Sequence, residues 1–132
     1  MRTKSRWVFL AGLVALLLAG AGCGQSGPKK LDVSGTVKYD GQEVTEGFIT
    51  FFPEDKNIGP EAGPIKDGRY TAKAVEGKNK VQITATRPVP GKKGPMGEDF
   101  VEQYIPEKYN TQTTLSAEVG SGKTEHNFDL PK

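Results

Sequence analysis

The chain of 132 residues has a single cysteine, Cys23, and a single histidine, His126. One cysteine cannot form an intramolecular disulfide, and a zinc site needs several His or Cys ligands, which this chain lacks. Acyl-transfer catalysis needs a nucleophile, a base beside it and a group that orients the base, and no Gly-x-Ser-x-Gly motif is present. We therefore predict that the protein is not an enzyme and uses no cofactor or metal.

Long apolar runs are also absent, except at the N-terminus. Residues 7–18 are almost entirely apolar, three basic residues precede them, and small residues 19–22 lead into Cys23. A positive head, an apolar stretch and a small-residue cleavage site are typical of a secretory signal. Residues 7–22 number 16, fewer than the roughly 20 that a membrane-spanning helix needs. We expect residues 1–22 to be a cleaved signal peptide.

The small residues before Cys23 resemble the lipobox of bacterial lipoproteins. The resemblance implies cleavage that makes Cys23 the new N-terminus and its acylation with diacylglycerol and palmitate-type chains, which anchor stably when two or more are present. The alternative is an ordinary signal that leaves Cys23 as a free thiol open to oxidation. The lipobox predicts an exported protein, anchored at the cell envelope through lipid on Cys23. Gly24, where inner-membrane lipoproteins often carry Asp, favours the outer membrane over the inner.

The apparent excess of positive charge belongs to the signal. The chain has 18 Lys and Arg against 16 Asp and Glu, and three of the cations, Arg2, Lys4 and Arg6, lie in the signal. The mature chain would therefore have 15 cations against 16 anions. That balance gives no reason to expect nucleic acid as a partner.

The mature part begins with a polar stretch, residues 23–30, which we interpret as the lipidated cysteine and a flexible tether. From Leu31 the pattern alternates, with Leu31, Val33 and Val37 on one parity. Asp-Gly pairs at 40–41 and 67–68 are typical of tight hairpin turns. About seven short runs of this kind, without a long helix, predict an all-β domain over residues 31–130, an antiparallel two-sheet sandwich. The predicted core consists of Ile49, Phe51, Val81, Ile83, Leu115 and Phe128.

Six segments in a fixed order carry a family resemblance: 33–37, 39–44, 47–53, 67–70, 105–110 and 127–130. The first reads Val-Ser-Gly-Thr-Val and the third Gly-Phe-Ile-Thr-Phe-Phe-Pro. Together they resemble carboxypeptidase-regulatory-like domains, and the later segments are similar to small bacterial lipoproteins built on one such domain. The resemblance implies a transthyretin-like (prealbumin-like) sandwich with a non-catalytic role.

Two further features have a surface interpretation. His126 shares the parity of Phe128 and Leu130, so we interpret it as a strand-end residue partly covered by the domain. Carboxylate-rich segments at 54–61 and 98–102 lack the alternating Asp spacing of a calcium loop. We interpret both segments as solvated loops.

Residues 88–107 read as a long loop, and such loops are usually functional or disordered. Phe100, Val101, Tyr104 and Ile105 recur at helical spacing and predict one or two helical turns. These turns either cap an open end of the domain or present Phe100, Tyr104 and Tyr109 as an aromatic platform for a partner. Capping is favoured, because apolar residues at regular spacing normally face a core.

Two functions remain open from the sequence. The first is a lipid-anchored envelope protein whose single domain has a structural or protein-interaction role. The alternative is a lipoprotein that binds a glycan or peptide through the 88–109 loop. The expected partners are accordingly the membrane, through Cys23, and an envelope protein or polysaccharide.

Overall fold

The structure, a computed structural model, describes residues 27–132. The predicted signal peptide, Cys23 and residues 24–26 of the tether lie outside the described residues. The fold is all-β, as predicted, and no α-helix occurs within residues 27–132. In chain order the elements are β1 (Lys30–Tyr39), β2 (Gln42–Glu43), β3 (Glu46–Pro53), β4 (Glu61–Lys66), β5 (Arg69–Val75), β6 (Gly77–Lys93), β7 (Asp99–Gln103), the 3-10 turn η1 (Glu107–Tyr109), β8 (Ser116–Val119) and β9 (Phe128–Leu130).

Within residues 27–132, nine strands form one hydrogen-bonded network that curls into a half-barrel. The strand order is β2-β1-β5-β4-β3-β6-β7, with β8 added to β6 and β9 added to β1. All pairs are antiparallel except β1 and β9, the first and last strands, which are parallel. The count is nine rather than about seven because β2 and β7 occupy segments that the sequence pattern did not identify as strands.

Two tight turns confirm the reading of the Asp-Gly pairs. Asp40 and Gly41 have φ of 51° and 76°, and Asp67 and Gly68 have 49° and 74°. Positive φ at both central residues defines the type I′ turn, whose twist matches that of the flanking strands. Asp tolerates this conformation better than most residues, and glycine adopts it without a steric cost. The two turns connect β1 to β2 and β4 to β5.

The core lies on the concave side of the curled sheet. Alternate residues of β1, β3, β5 and β6 point inward, which confirms the period-two pattern of the sequence. Ile49, Phe51, Val81 and Ile83 are fully buried, as predicted. The other two predicted core residues, Leu115 and Phe128, are only partly buried and pack against the core from its margin.

The helical turns predicted for residues 100–105 are wrong. This segment contains β7, which pairs with the second half of β6 in a hairpin that we call the arm, residues 86–103. Phe100 and Val101 are half-exposed. The segment is too short for the spacing of its apolar residues to distinguish the helical period of 3.6 residues from the strand period of two. Pairing with β6 supplies hydrogen-bond partners for its backbone groups. The helical geometry in this region is limited to η1.

Candidate functional site

The three aromatic residues of the predicted platform have different surroundings. Phe100 lies on β7 in the arm, half-exposed, with the Lys92 ammonium 5.7 Å from its ring centroid. Tyr104 follows β7 at the base of the arm and is partly buried. Tyr109 lies in η1 and is 8% exposed. Of the three, only Phe100 and Tyr104 offer a substantial part of their rings to a partner.

Tyr104 attaches the arm to the domain. The centroid of the Tyr104 ring is 6.0 Å from that of the Tyr39 ring. The Arg87 guanidinium lies 5.2 Å from the centroid of the Tyr104 ring. Its backbone N–H donates to the carbonyl of Ala85 at 3.1 Å. Burial raises the pKa of the Tyr104 hydroxyl, and the positive charge of Arg87 partly opposes that rise. The residue therefore has a packing role whether or not it also contacts a ligand.

Tyr109 and Ile105 cover the core. Both belong to the buried cluster, and the Tyr109 hydroxyl donates to the backbone carbonyl of Pro131 at 2.6 Å. The Asn110 side-chain amide donates to the carbonyl of Ile105 at 3.0 Å and fixes the turn between them. This part of the 88–109 segment therefore packs on the domain, as the capping alternative expects.

A groove that the sequence reading missed lies on the convex face of the sheet. It has a volume of about 780 Å³, and its floor is formed by outward-pointing side chains of β3 and β6. The segment after β3 forms one wall, and the segment before β8 forms the other. Its lining includes the apolar side chains of Phe52, Ile58 and Leu115 and the basic side chains of Lys56, Lys78 and Lys80. We call this the convex groove.

The wall before β8 is held by hydrogen bonds to β6. The Thr113 hydroxyl donates to the carbonyl of Val81 at 2.6 Å and accepts from the N–H of Leu115 at 3.1 Å. The N–H of Val81 donates to the carbonyl of Leu115 at 2.9 Å. Thr113 is 5% exposed. This wall is therefore fixed to the sheet before any ligand arrives, which reduces the entropy that binding must lose.

The convex groove has an excess of positive charge. Lys56, Lys78 and Lys80 form no ion pair with any residue in the range 27–132. Among the described residues, Glu54 is the one carboxylate of the lining. Glu118 lies opposite Lys78 in the β6–β8 register, but it forms no ion pair within residues 27–132 and lies outside the lining. The groove can therefore attract an anion without first breaking an internal ion pair.

A second groove of about 520 Å³ continues along the same face toward the arm. It shares Gln82, Asn110 and Thr111 with the convex groove and ends at Tyr104. A third, of about 640 Å³, lies on the other side of Tyr104 and is lined by Tyr39 and the Arg87–Glu102 ion pair. Phe100 lines none of the three.

The sequence did contain a signal for the convex groove. Residues 48–52 are apolar on both faces of the strand, and Phe52 is one of the outward residues. An apolar residue at an outward position normally indicates contact with something other than the core. The lysines gave no comparable signal, because outward lysines on a strand are ordinary.

The other residues considered from the sequence have structural surroundings. His126 is partly covered, and its Nε2 lies 3.1 Å from the carbonyl oxygen of Lys123. No three His, Cys, Asp or Glu side chains in residues 27–132 converge as a metal site would require. Within the acidic segments, Glu61 pairs with Lys30, Asp99 with Lys93, and Glu102 with Arg87. Across the same residues, no helix is long and apolar enough to span a bilayer.

Comparison of the chain with known proteins and protein families identifies no relative. No protein-family model, curated protein or solved structure matches the chain. The resemblance to carboxypeptidase-regulatory-like domains stays a prediction.

Proposed function

We propose that this chain is an exported lipoprotein of the cell envelope whose single domain is a non-catalytic interaction module. In this proposal residues 1–22 are removed, Cys23 carries the lipid, and residues 31–130 have a structural role or bind an envelope protein. The observation that carries it is the position of the first strand. β1 begins at Lys30, seven residues after Cys23, so a short tether joins the predicted anchor directly to the folded domain.

The proposal includes a two-layer sandwich of the transthyretin-like type. The pairing pattern supports it, because β1 pairs with β5 over residues 30–36 and with β9 over residues 37–39. In addition, β4 and β5 pair at only two positions beside their turn. Strands that separate beyond a turn allow a curled sheet to present two facing layers.

Anchoring is tested by the substitution Cys23→Ser in the full chain. We expect the unchanged protein to incorporate an alkyne-bearing palmitate analogue and to partition into the detergent phase. The variant should incorporate none and remain in the aqueous phase. A Ser26→Ala variant is the matched control, because it changes the tether and leaves the cysteine. An unchanged protein with a free thiol, found in the aqueous phase, would refute the anchor.

A second candidate function is that of a ligand-binding lipoprotein, and the grooves favour it. The alternative predicted from sequence placed the ligand on the 88–109 loop, and Tyr104 of that loop lines two grooves. Crosslinking in intact envelopes distinguishes the two candidates. A structural or interaction module predicts one protein neighbour in stable yield, whereas a ligand-binding protein predicts a retained small molecule or polysaccharide.

A further inference from the structure

We propose that the convex groove binds an acidic polysaccharide, a chain of sugars that carry carboxylates. The proposal deepens the ligand-binding candidate and rests on it, but it depends on the described domain and does not require the lipid anchor. Four observations lead to it: the shape of the groove, its unpaired charges, its uncharged polar groups and the state of the backbone beneath it.

The shape fits an extended polymer. The convex groove and the second groove share three lining residues and follow one strand, β6, from Lys78 to Thr84. The six residue-to-residue steps from Lys78 to Thr84 span about 20 Å at the usual rise of a strand. An open groove of this length accommodates several consecutive units of a chain, whereas an enclosed pocket would select a single small molecule.

The charge fits a repeated anion. Lys78 and Lys80 are two residues apart on one face of β6, so their side chains leave the sheet about 7 Å apart. Lys56 approaches the same space from the segment after β3. Ammonium groups without internal partners form charge-assisted hydrogen bonds with carboxylates. A polymer with an acid on successive units can meet two or three of these lysines together.

Uncharged groups between the lysines fit hydroxyl-rich rings. Gln82, Thr114 and Ser116 line the convex groove, and their side chains both donate and accept hydrogen bonds. Phe52 and Leu115 add apolar surface beside them. A sugar ring has hydroxyls at its edge and C–H groups on its faces, so it can use both kinds of contact at once. A simple phosphate ion could use the lysines and the polar donors, but it would leave the apolar surface without a partner.

The backbone beneath the groove argues against a peptide strand as the ligand. An extended peptide that adds to a sheet needs a free edge with unpaired N–H and C=O groups. The floor of the convex groove is the face of β3 and β6, and these strands pair with each other from Gly47↔Ala85 to Pro53↔Asn79. Recognition here must come from side chains, which suits a polysaccharide better than an added strand.

The test uses the full chain purified in detergent and oligogalacturonate as the probe, with binding measured by calorimetry. We expect the affinity to fall about tenfold or more when Lys56, Lys78 and Lys80 are all changed to Gln, because each exposed ion pair that is lost lowers the affinity a few-fold. A triple variant at Lys38, Lys66 and Lys123 is the matched control, because it removes the same charge elsewhere on the surface. Its affinity should stay within about twofold of the unchanged protein.

A second pair of variants tests the apolar contact. Phe52→Ala should weaken oligogalacturonate binding a few-fold, since it removes a ring from the lining. Phe48→Ala is the control, because Phe48 points outward from the same strand but lies outside the lining. Circular-dichroism melts of all four variants establish that they fold, so a loss of affinity can be assigned to the site.

Four outcomes would overturn the proposal. They are no binding of oligogalacturonate at millimolar concentration, equal loss in both lysine variants, equal affinity for poly-glutamate, and an affinity for phosphatidylglycerol vesicles that falls as far as the oligogalacturonate affinity does when Lys56, Lys78 and Lys80 are changed. The third would favour an acidic peptide and the fourth a lipid surface. Because Cys23→Ser is measured separately by detergent partitioning, failure of the anchor and failure of the groove are distinguishable.

Discussion

The hydroxyl of Tyr70 donates a 2.7 Å hydrogen bond to the backbone carbonyl of His126. Tyr70 lies on β5 and is 3% exposed, with its ring centroid 6.1 Å from that of Phe51 and 6.4 Å from that of Phe128. The bond joins the centre of the sheet to the segment that leads into β9. One phenol thus fills the core and satisfies a carbonyl at its margin.

We expect Tyr70→Phe to lower the free energy of unfolding by about 1–3 kcal/mol, because it leaves a covered carbonyl without its donor. Urea denaturation of the two proteins measures the difference. Tyr39→Phe is the matched control, since the Tyr39 hydroxyl has no hydrogen-bond partner among residues 27–132, and its effect should stay below about 0.5 kcal/mol. Equal effects in the two variants would contradict a specific role for the Tyr70 bond.

Tyr70 also predicts the alkaline stability of the protein. Burial, with a smaller contribution from the negative charge of Glu125, raises the pKa of the Tyr70 hydroxyl well above its ordinary value. Above pH 10 the unfolded chain loses this proton while the folded chain keeps it, so stability is complete below about pH 10 and falls above it. At pH 11 the loss is about 1.4 kcal/mol for this group.

The measurement is the free energy of unfolding at pH 8 and pH 11 for the unchanged protein and Tyr70→Phe. The variant should lose about 1.4 kcal/mol less over that interval, because phenylalanine has no proton to release. Every other ionisable group is present in both proteins, so its contribution cancels in the comparison. The same slope in both would contradict the raised pKa of Tyr70.

Gly35 is predicted to be intolerant of any side chain. A Cβ at this position would lie 1.9 Å from the carbonyl oxygen of His126 and 2.7 Å from its carbonyl carbon. Backbone atoms cannot move aside as a flexible side chain can, so Gly35→Ala should cost about 2 kcal/mol or more. Gly122→Ala, where nothing lies within 4 Å, should stay within about 0.5 kcal/mol of the unchanged protein in the same melts.

Two of the three phenylalanines of β3, Phe48 and Phe51, should differ strongly in the stability that their truncation costs. Phe51 is 0% exposed and Phe48 is 58% exposed. Phe51→Ala should cost about 3–5 kcal/mol, as loss of a buried ring does, and Phe48→Ala less than about 1 kcal/mol. For Phe128, which the sequence placed with Phe51 in the core, partial burial predicts an intermediate loss. Similar costs at positions 48 and 51 would contradict the strand register.

The features that the sequence predicted correctly are local ones. The Asp-Gly turns depend on two residues, and the inward positions of Val33 and Val37 follow from the alternation of a single strand. The convex groove could not be found this way, because Lys56 and Lys80 come together only through the pairing of β3 with β6 and the path of the chain after β3. In the same way, four apolar residues in six positions could not distinguish the exposed arm from a helix.

The parallel pairing of β9 with β1 has a consequence for the biogenesis of the protein. The partner of β1 is β9, the last strand in chain order, so the long loop between residues 39 and 128 must close before the network is complete. Until then, residues 37–39 present unpaired N–H and C=O groups on an open edge, a template for pairing with another chain. For an exported chain, the period of greatest aggregation risk therefore lasts until residues 128–130 have crossed the membrane and paired with β1.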